Sequence, residues 1–157
     1  MIEKRDKIRD RSKQVAGMQL AKALEGRLGL IIDSTARDVE KIQSEAKRLR
    51  QLGYDIHMVF VNTSLDVALE RNRRRERTVP EYITRNSWTK VQSNIGRFQN
   101  LFGMENMIIV DNSKDDRELT TIDMSKVDKN VRRLLRNKVK SYTAKRWMAS
   151  ERKARRR

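Results

Sequence analysis

The sequence predicts an α/β fold with a parallel sheet in a three-layer arrangement. The prediction rests on three short apolar runs that alternate with segments of helical periodicity; the runs lie at 28–33, 56–61 and 107–110. Continuous apolar runs are typical of strands covered on both faces, and their alternation with helices indicates βαβ units. Ligands bind such sheets beyond the carboxyl ends of the strands. The polar clusters that follow the runs, DSTAR, NTS and DNS, are therefore expected at one edge of the sheet.

The first three helices are predicted from apolar residues that recur every three or four positions. Residues 3–25 show this period, and Gly26 is expected to end the helix. A second helix should begin after the capping residue Asp38 and end at Gly53. A third should begin near Leu65, after NTS, and run into the arginine-rich segment RNRRRER.

A fourth helix is predicted to follow Pro80, which suits a first helical turn. Its apolar stripe is spaced 3-4-3-3 and comprises Trp88, Val91, Ile95, Phe98 and Leu101. Such a stripe is typical of a buried helix face, so we interpret it as core and not as a platform for stacking bases. Two basic helical stretches, 124–137 and 143–156, are expected at the C-terminal end.

Composition limits the classes of protein to which this chain can belong. Its 157 residues suit one domain, and a hydrophobic content of 37% predicts a lean core. The absence of cysteine excludes disulfides and thiolate metal sites and suits a reducing cytoplasm. The single histidine, His57, excludes a multi-histidine metal site. No apolar stretch approaches the ~20 residues of a membrane span, so the expected location is cytoplasmic, with no membrane partner.

The positive charge is concentrated at the C-terminal end. Residues 126–157 hold 14 Lys and Arg against two acidic residues, a net charge of +12 out of +16 for the chain. A basic segment of this kind favours polyanions such as nucleic acid, because binding releases counterions. The alternative is a solvated helix that only keeps the protein soluble.

Three residues of the DSTAR cluster could carry chemistry. Asp33 ends the first apolar run, where nucleotide-binding folds often place a carboxylate that holds Mg²⁺, directly or through water. The alternative is a turn residue that simply ends a strand. Thr35 and Arg37 add a hydroxyl and a guanidinium, and the planar fork of arginine suits phosphate.

The segment RNRRRER places five arginines within residues 71–77. Arg71 and Arg75 lie four apart, so on a helix they would share one face, with Cβ atoms roughly 6 Å apart. Crowded like charges cost stability unless an anion offsets them. A triphosphate is such an anion, and arginines placed over it can stabilise transition-state charge. The alternative is an exposed basic helix end, which the helix dipole favours.

Three segments in this order match one known family: GLIIDSTAR, GYDIHMVFV and DVALERNRRRERTVPEYI. They resemble the C-terminal half of P-loop kinases of the polynucleotide kinase and zeta-toxin type. The resemblance covers about residues 28–112, and its most specific part is a lid with R-N-x-x-R at 71–75 followed by V-P at 79–80.

The resemblance implies a nucleotide partner, ATP with Mg²⁺ as cofactor, and roles for individual residues. Arg71 and Arg75 would contact the ATP phosphates and stabilise the transferring group. Thr35 and Arg37 would lie on the phosphoacceptor or γ-phosphate side, and Asn112 near the adenine. The implied catalytic residues are thus Arg71, Arg75 and Arg37, and the implied nucleotide-binding residues are Asp33, Thr35, Arg77 and Asn112.

One motif of these kinases is absent from the sequence, the glycine-rich loop G-x-x-x-x-G-K-[ST] that holds the phosphates. The nearest match, residues 17–22, lacks the second glycine and falls in a predicted helix. In the family the strand before that loop lies between the strands that match 28–33 and 56–61. Without it, each buried unpaired ladder group would cost about 1–3 kcal/mol. Three explanations stay open: the two strands close on each other, a partner chain supplies the strand, or the chain is the latter part of a longer reading frame.

Two functions are predicted. The first is a kinase-like nucleotide-binding domain related to ATP-dependent phosphotransferases that act on a nucleic-acid end or a small-metabolite hydroxyl, catalytically incomplete as this chain stands. The alternative is a basic nucleic-acid-binding accessory protein whose sheet is only a scaffold. The expected organisation is a partial P-loop-kinase-like domain at 1–122, with a lid at about 71–80, and a basic helical tail at 123–157.

Overall fold

The computed structural model describes residues 2–113 and 117–156, with side chains described for 6–113 and 124–156. The helices are α1 (Ile2–Glu25), α2 (Val39–Gln51), α3 (Leu65–Arg73), α4 (Glu81–Ser93), α5 (Ile95–Phe102), α6 (Arg117–Leu135) and α7 (Tyr142–Ala154). The strands are β1 (Met58–Asn62) and β2 (Met107–Asp111), the latter preceded by a short 3-10 helix at Met104–Asn106. The described residues divide into two compact units, one ending at Ser34 and the other beginning at Thr35. Within the described part of the chain, no helix combines the length and the apolar character needed to cross a membrane.

The first unit consists of α1 and the segment that follows it. The predicted helix at 3–25 is confirmed, and its last turn closes with two main-chain hydrogen bonds. The N–H of Leu28 donates to the carbonyl of Ala23 (2.9 Å), and the N–H of Arg27 donates to that of Leu24 (3.3 Å). In this kind of helix end one residue takes a left-handed conformation, usually glycine. Here that residue is Arg27, with φ of 52°, and not the neighbouring Gly26.

The predicted strand at 28–33 is wrong. These residues have no regular secondary structure, and Ile31 is fully exposed. A strand requires a neighbour that accepts and donates its main-chain hydrogen bonds. The two strands of the described sheet pair with each other, and neither pairs with 28–33. The segment 28–33 is apolar, as a strand would be, but no described strand lies beside it to form the main-chain hydrogen bonds that a strand needs.

The second unit is built on a small parallel sheet. β1 and β2 pair in parallel, in register from Met58 opposite Met107 to Asn62 opposite Asp111. The strands predicted at 56–61 and 107–110 are thereby confirmed, with β1 beginning two residues later than expected. The fold is a helix-rich α/β arrangement with two strands in the described residues.

The core of this unit lies against one face of β1. Its buried residues are Ala36, Val39, Phe60, Phe98 and Met107. Phe98 is fully buried, and its ring lies 6.5 Å from that of Phe60, tilted by 45°. The opposite face of β1 is open, because Val59 and Val61 are 45% and 60% exposed.

The predicted fourth helix is divided into α4 and α5 at Asn94. The main-chain N–H of Asn94 donates to Val91, three residues back (3.1 Å), where a continuous α-helix would use the fourth. The Asn94 side chain is buried and binds main-chain carbonyls elsewhere in this unit. The expected stripe is nevertheless retained, since Phe98 remains at the centre of the core.

The two basic helices are confirmed as α6 and α7, and α7 packs closely on the end of α2. Gly53 has φ of 94°, and a Cβ atom added there would lie 2.8 Å from the main-chain nitrogen of Ala144. Only glycine therefore allows the two backbones to approach so closely. The division of the chain at residues 122 and 123 stays a prediction.

Candidate functional site

The carboxyl ends of β1 and β2 bring two polar clusters together. The hydroxyl of Thr63 donates to the carbonyl of Asn112 (3.3 Å), and the N–H of Ser64 donates to Oγ of Ser113 (2.9 Å). The N–H of Asn112 also donates to the carbonyl of Asn62 (2.7 Å). The clusters NTS and DNS thus meet at one edge of the sheet, as predicted.

The third cluster, DSTAR, does not follow a strand, but part of it lies beside the sheet. Ala36 belongs to the same core as Phe60 of β1. Its φ is 55°, a left-handed conformation that costs an alanine roughly 1–2 kcal/mol. Thr35 and Arg37 on either side are exposed. A strained residue buried between two exposed polar ones is typical of a loop whose shape serves a function.

Asn94 holds this loop in place. Its side-chain amide nitrogen donates to the carbonyl of Ala36 (3.1 Å) and to that of Arg37 (3.2 Å). Because the Asn94 side chain is buried, water does not compete for these hydrogen bonds. The two bonds fix the main chain at the strained residue and at the residue that follows it.

Helix α4 connects the strand ends with that loop. The indole N–H of Trp88 donates to the carbonyl of Thr63 (2.8 Å), and the Gln92 amide donates to Oδ1 of Asn62 (2.7 Å). These two side chains lie four residues apart and therefore on the same helix face. Trp88, predicted as core, is half-buried and also anchors the end of β1.

The arginine-rich segment forms a closed loop after α3. The buried side chain of Asn72 accepts a hydrogen bond from the N–H of Val79 (3.0 Å) and donates one to the carbonyl of Val79 (2.7 Å). The chain therefore leaves α3 at its last residue, Arg73, and returns at Val79 to the side chain of Asn72. We call residues 73–78 the arginine loop.

The prediction that Arg71 and Arg75 share one helix face is wrong. Helix α3 ends at Arg73, so Arg75 lies beyond its last turn. The N–H of Arg75 donates to the carbonyl of Asn72, three residues back, which is a turn and not α-helix (3.3 Å). Continuing the helix would stack like charges four residues apart, which is unfavourable. Arg71 itself is in α3 and half-buried.

Two arginines of the loop are held by carboxylates. Arg73 pairs with Glu81 at the start of α4 (3.2 Å), and Arg74 pairs with Glu70. Arg85 also binds Glu81 (2.7 Å). The hydrogen bond from Arg85, followed by that from Arg73, lowers the pKa of Glu81 below its ordinary value. Glu81 therefore stays ionised and keeps the base of the loop attached to α4.

Two other arginines of the loop have a different environment. Arg75 and Arg77 are exposed, and neither makes an ion pair or a side-chain hydrogen bond with another described residue. A guanidinium group without an acidic partner is chemically suited to an anion such as phosphate, because its planar fork matches two phosphate oxygens. Arg75 and Arg77 were both predicted to bind phosphate, and both lie in the arginine loop without an ion pair to another described residue.

The remaining predicted residues differ in how firmly they are held. Asn112 is half-buried and fixed through its main chain at the end of β2. Asp33 is exposed in the irregular segment of the first unit. No group of three or more His, Cys, Asp or Glu side chains that could hold a metal ion occurs among the described residues. A Mg²⁺ ion that bridges substrate phosphates uses only one or two protein carboxylates, and a single aspartate fits that requirement.

Sequence reasoning missed the positioning role of Asn72, Gln92 and Asn94. Each is an amide side chain within or at the end of a helical stretch, and each binds a residue outside its own helix. Asparagine disfavours helix interiors, because its short side chain competes for main-chain hydrogen bonds. Asn72 and Asn94 were thus a usable signal, although they did not identify the partner. Glutamine is a good helix former, so Gln92 gave no such signal.

The parallel sheet with polar strand ends, whose strands alternate with helices along the chain, defines a helix-rich α/β protein. A sequence model of the zeta toxin family matches residues 4–125. The chain belongs to the zeta toxin family, which is kinase-like and nucleotide-binding. No curated protein and no solved structure matches the chain.

Proposed function

We propose that this chain is the nucleotide-binding part of an ATP-dependent phosphotransferase that acts on a nucleic-acid end or on a small-metabolite hydroxyl. The observation that carries the proposal is the arginine loop, which presents Arg75 and Arg77 without acidic partners among the described residues. Such groups suit a polyphosphate, and membership of the zeta toxin family supports ATP as that ligand. The lack of cysteine suits a reducing compartment such as the cytoplasm.

The proposed chemistry is electrostatic. Phosphoryl transfer spreads negative charge over the transferring group, and guanidinium groups fixed beside it stabilise that charge. Arg71, Arg75 and Arg77 would bind the ATP phosphates from the lid side. Thr35 and Arg37 would orient the phosphoacceptor or the γ-phosphate.

The proposed metal and base contacts involve two further residues. Asp33 would hold Mg²⁺ through water, since an ion that keeps most of its water molecules needs only one or two protein carboxylates. Asn112, fixed at the end of β2, would contact the adenine.

We also propose that these residues do not suffice for catalysis. The motif G-x-x-x-x-G-K-[ST] does not occur in the sequence. A phosphate loop from another segment or chain would enter on a strand beside β1, whose second edge has no strand neighbour among the described residues. The open face of β1, with the exposed Val59 and Val61, would then be covered as well, because parallel sheets carry a layer on each face.

Calorimetric titration of ATP with Mg²⁺ tests the proposed site. We expect Arg75→Ala and Arg77→Ala each to weaken binding about tenfold or more, because a hydrogen bond to a charged group contributes about 1.5–3 kcal/mol. Arg97→Ala is the matched control, since Arg97 is exposed and pairs with Glu40 (2.7 Å), outside the arginine loop. Equal affinities in all four proteins would remove the assignment of the arginine loop to phosphate.

A phosphate-transfer assay with radiolabelled ATP tests the proposed incompleteness. The purified chain should transfer no measurable label to an oligonucleotide end or to a hydroxyl metabolite. Robust transfer by the chain alone would contradict the requirement for a separate phosphate loop.

The second candidate function is nucleic-acid binding by the basic C-terminal helices. The observation that favours it is the close packing of α7 on Gly53, which fixes this basic helix on the second unit. Binding of nucleic acid to a basic helix releases counterions. A helix that is already fixed loses less conformational entropy on binding than a free segment that must first become ordered. Exposed cationic residues of α7 are Lys145, Arg146, Arg152 and Lys153.

Neutralising the charges of α7 distinguishes the two functions better than deleting the helix, because the substitutions preserve the packing of α7 on Gly53. Changing these four residues to glutamine should weaken binding to a single-stranded oligonucleotide. The slope of the logarithm of the binding constant against the logarithm of the salt concentration should become less negative by roughly 0.7 per lost phosphate contact. ATP affinity should not change. An unchanged salt slope would eliminate nucleic acid as the partner of α7.

A further inference from the structure

The side chain of Asn72 makes a contact that its position in a charged segment does not require. It is only 8% exposed, although the loop that follows it is exposed throughout. Both of its polar atoms bind the main chain of one residue, Val79, at 2.7 and 3.0 Å. This pairing of a side-chain amide with a peptide group satisfies one donor and one acceptor on each side.

The contact opposes a strong tendency of the loop to open. Arg73, Arg74, Arg75 and Arg77 lie within five residues, and their mutual repulsion favours an extended chain. Glu81 and Glu70 offset two of these charges at the base of the loop. The two at the tip have no such partner among the described residues. The fold thus holds charges that repel each other within one short loop, and a bound anion would offset that repulsion.

We propose that Asn72 is a positioning residue: it closes residues 73–78 into a loop and so holds Arg75 and Arg77 ready for a polyphosphate. The ligand in this inference rests on the proposed function, whereas the closure rests on the Asn72–Val79 contact alone. A loop closed in advance loses less conformational entropy on binding, so the affinity for phosphate should depend on Asn72 although its side chain carries no charge.

Limited trypsin digestion followed by mass spectrometry tests the closure. Trypsin cleaves after arginine, and the bonds after Arg74, Arg75 and Arg77 report opening of the loop. The bond after Arg136, in the exposed turn that follows α6, is an internal reference. In Asn72→Ala, cleavage of the loop bonds relative to this reference should rise about tenfold or more, since a tenfold change corresponds to about 1.4 kcal/mol.

The matched control is Asn106→Ala. Asn106 also donates from its amide to a main-chain carbonyl, that of Phe102 (3.0 Å), but lies far from the loop in sequence. Asn106→Ala should leave the relative cleavage of the loop unchanged. Asn72→Asp keeps the acceptor for the Val79 N–H and loses the donor to its carbonyl, so intermediate cleavage is expected. If Asn72→Ala does not fold, the digestion is carried out with Asn72→Asp in its place.

Titration of inorganic tripolyphosphate provides the second readout. Asn72→Ala should bind it about tenfold more weakly than the wild type, although no arginine has been removed, while Asn106→Ala should bind it normally. Unchanged relative cleavage in Asn72→Ala would overturn the closure. Faster cleavage with unchanged tripolyphosphate affinity would overturn the positioning role. If the wild type does not bind tripolyphosphate at all, the proposed function and the ligand named here fail together, and the cleavage ratio alone decides the closure.

Discussion

Replacing Gly53 with alanine should disrupt the junction between α2 and the basic helix α7. The substitution has two separate effects at this position. The backbone of Gly53 has φ of 94°, which side-chain-bearing residues rarely adopt, and the added Cβ would lie 2.8 Å from the main-chain nitrogen of Ala144. That atom belongs to the backbone, so the clash cannot be relieved by a side-chain rotation.

The expected loss of stability follows from these two contributions. The left-handed conformation costs an L-residue about 1–2 kcal/mol, and an added atom in a packed contact costs about 1–3 kcal/mol. Gly53→Ala should therefore lower the free energy of unfolding by about 2–5 kcal/mol. For a chain of this length each kcal/mol corresponds to about 2–4 °C in the melting temperature.

Two other glycines separate the contributions. Gly103 has φ of 83°, but an added Cβ would find only Asn106 Nδ2 at 3.8 Å. Gly103→Ala should therefore show the cost of its own backbone conformation, φ 83° with ψ 147°, without a clash. At Gly96 in α5 an added Cβ meets nothing within 4 Å. Gly96→Ala should stabilise the protein by about 0.5–1 kcal/mol, because alanine favours helix.

Urea denaturation followed by circular dichroism measures these differences. Hydrogen exchange in residues 142–154 adds a local readout, because Gly53→Ala should increase exchange there more than Gly103→Ala does. The second substitution Ala144→Gly should restore little stability, since it removes the Cβ at 3.0 Å and leaves the nitrogen at 2.8 Å. If Gly53→Ala cost no more than the roughly 1–2 kcal/mol expected from its conformation alone, the close approach of the two backbones would be refuted.

Three further substitutions test the core, the loop and the pH dependence. Phe98→Ala removes a fully buried ring and should cost about 3–5 kcal/mol in urea denaturation; a loss below 1 kcal/mol would place Phe98 outside the core. Asn94→Ala leaves two main-chain carbonyls without their donor, so it should cost about 1–3 kcal/mol. It should also speed tryptic cleavage after Arg37, and equal cleavage would show that Asn94 does not hold the loop. Burial lowers the pKa of His57 below its ordinary value of 6.5, so folding favours the neutral imidazole. This contribution is fully present above about pH 6.5 and is lost as the pH falls through the lower pKa of the folded state. In His57→Asn the decline of unfolding free energy between pH 7 and pH 5 should be shallower than in the wild type, and identical profiles would rule out His57 as its source.

Local signals predicted both ends of α2 correctly, because the residues that form a cap lie within one turn. Asp38 was expected to cap α2, and its carboxylate accepts a hydrogen bond from the N–H of Lys41 (3.0 Å). Gly53 was expected to end that helix, and its positive φ agrees with this role. Both predictions needed only neighbouring residues.

Features that depend on distant partners were not predictable in this way. The run at 28–33 is as apolar as β1, yet no strand lies beside it in the described sheet. Asn94 binds Ala36 and Arg37, which precede it by 58 and 57 positions, and Gln92 binds Asn62, which precedes it by 30 positions. Periodicity reveals which face of a helix is apolar, but it contains no information about which distant carbonyl a polar side chain will meet.

Helix α4 sets the spacing of the candidate site. Glu81 at its first residue holds the arginine loop, Trp88 and Gln92 hold the strand ends, and Asn94, just past its last residue, holds the loop around Ala36. With a rise of 1.5 Å per residue, Asn94 lies about 20 Å from Glu81 along the axis, and the two residues that contact the strand ends, Trp88 and Gln92, lie about 10 Å and about 16 Å from Glu81.

In the proposed site this spacing would bring the two loops to different parts of the ligand. A polyphosphate bound by Arg75 and Arg77 would lie at the end of α4 that holds the arginine loop. Thr35 and Arg37, exposed in the loop held by the other end of α4, would contact the group that receives the phosphate and not the nucleotide tail. Because a helix is rigid over this length, the distance between the two halves is fixed by α4 and not by either loop. The loops can then differ in sequence without changing the separation of the two parts of the site.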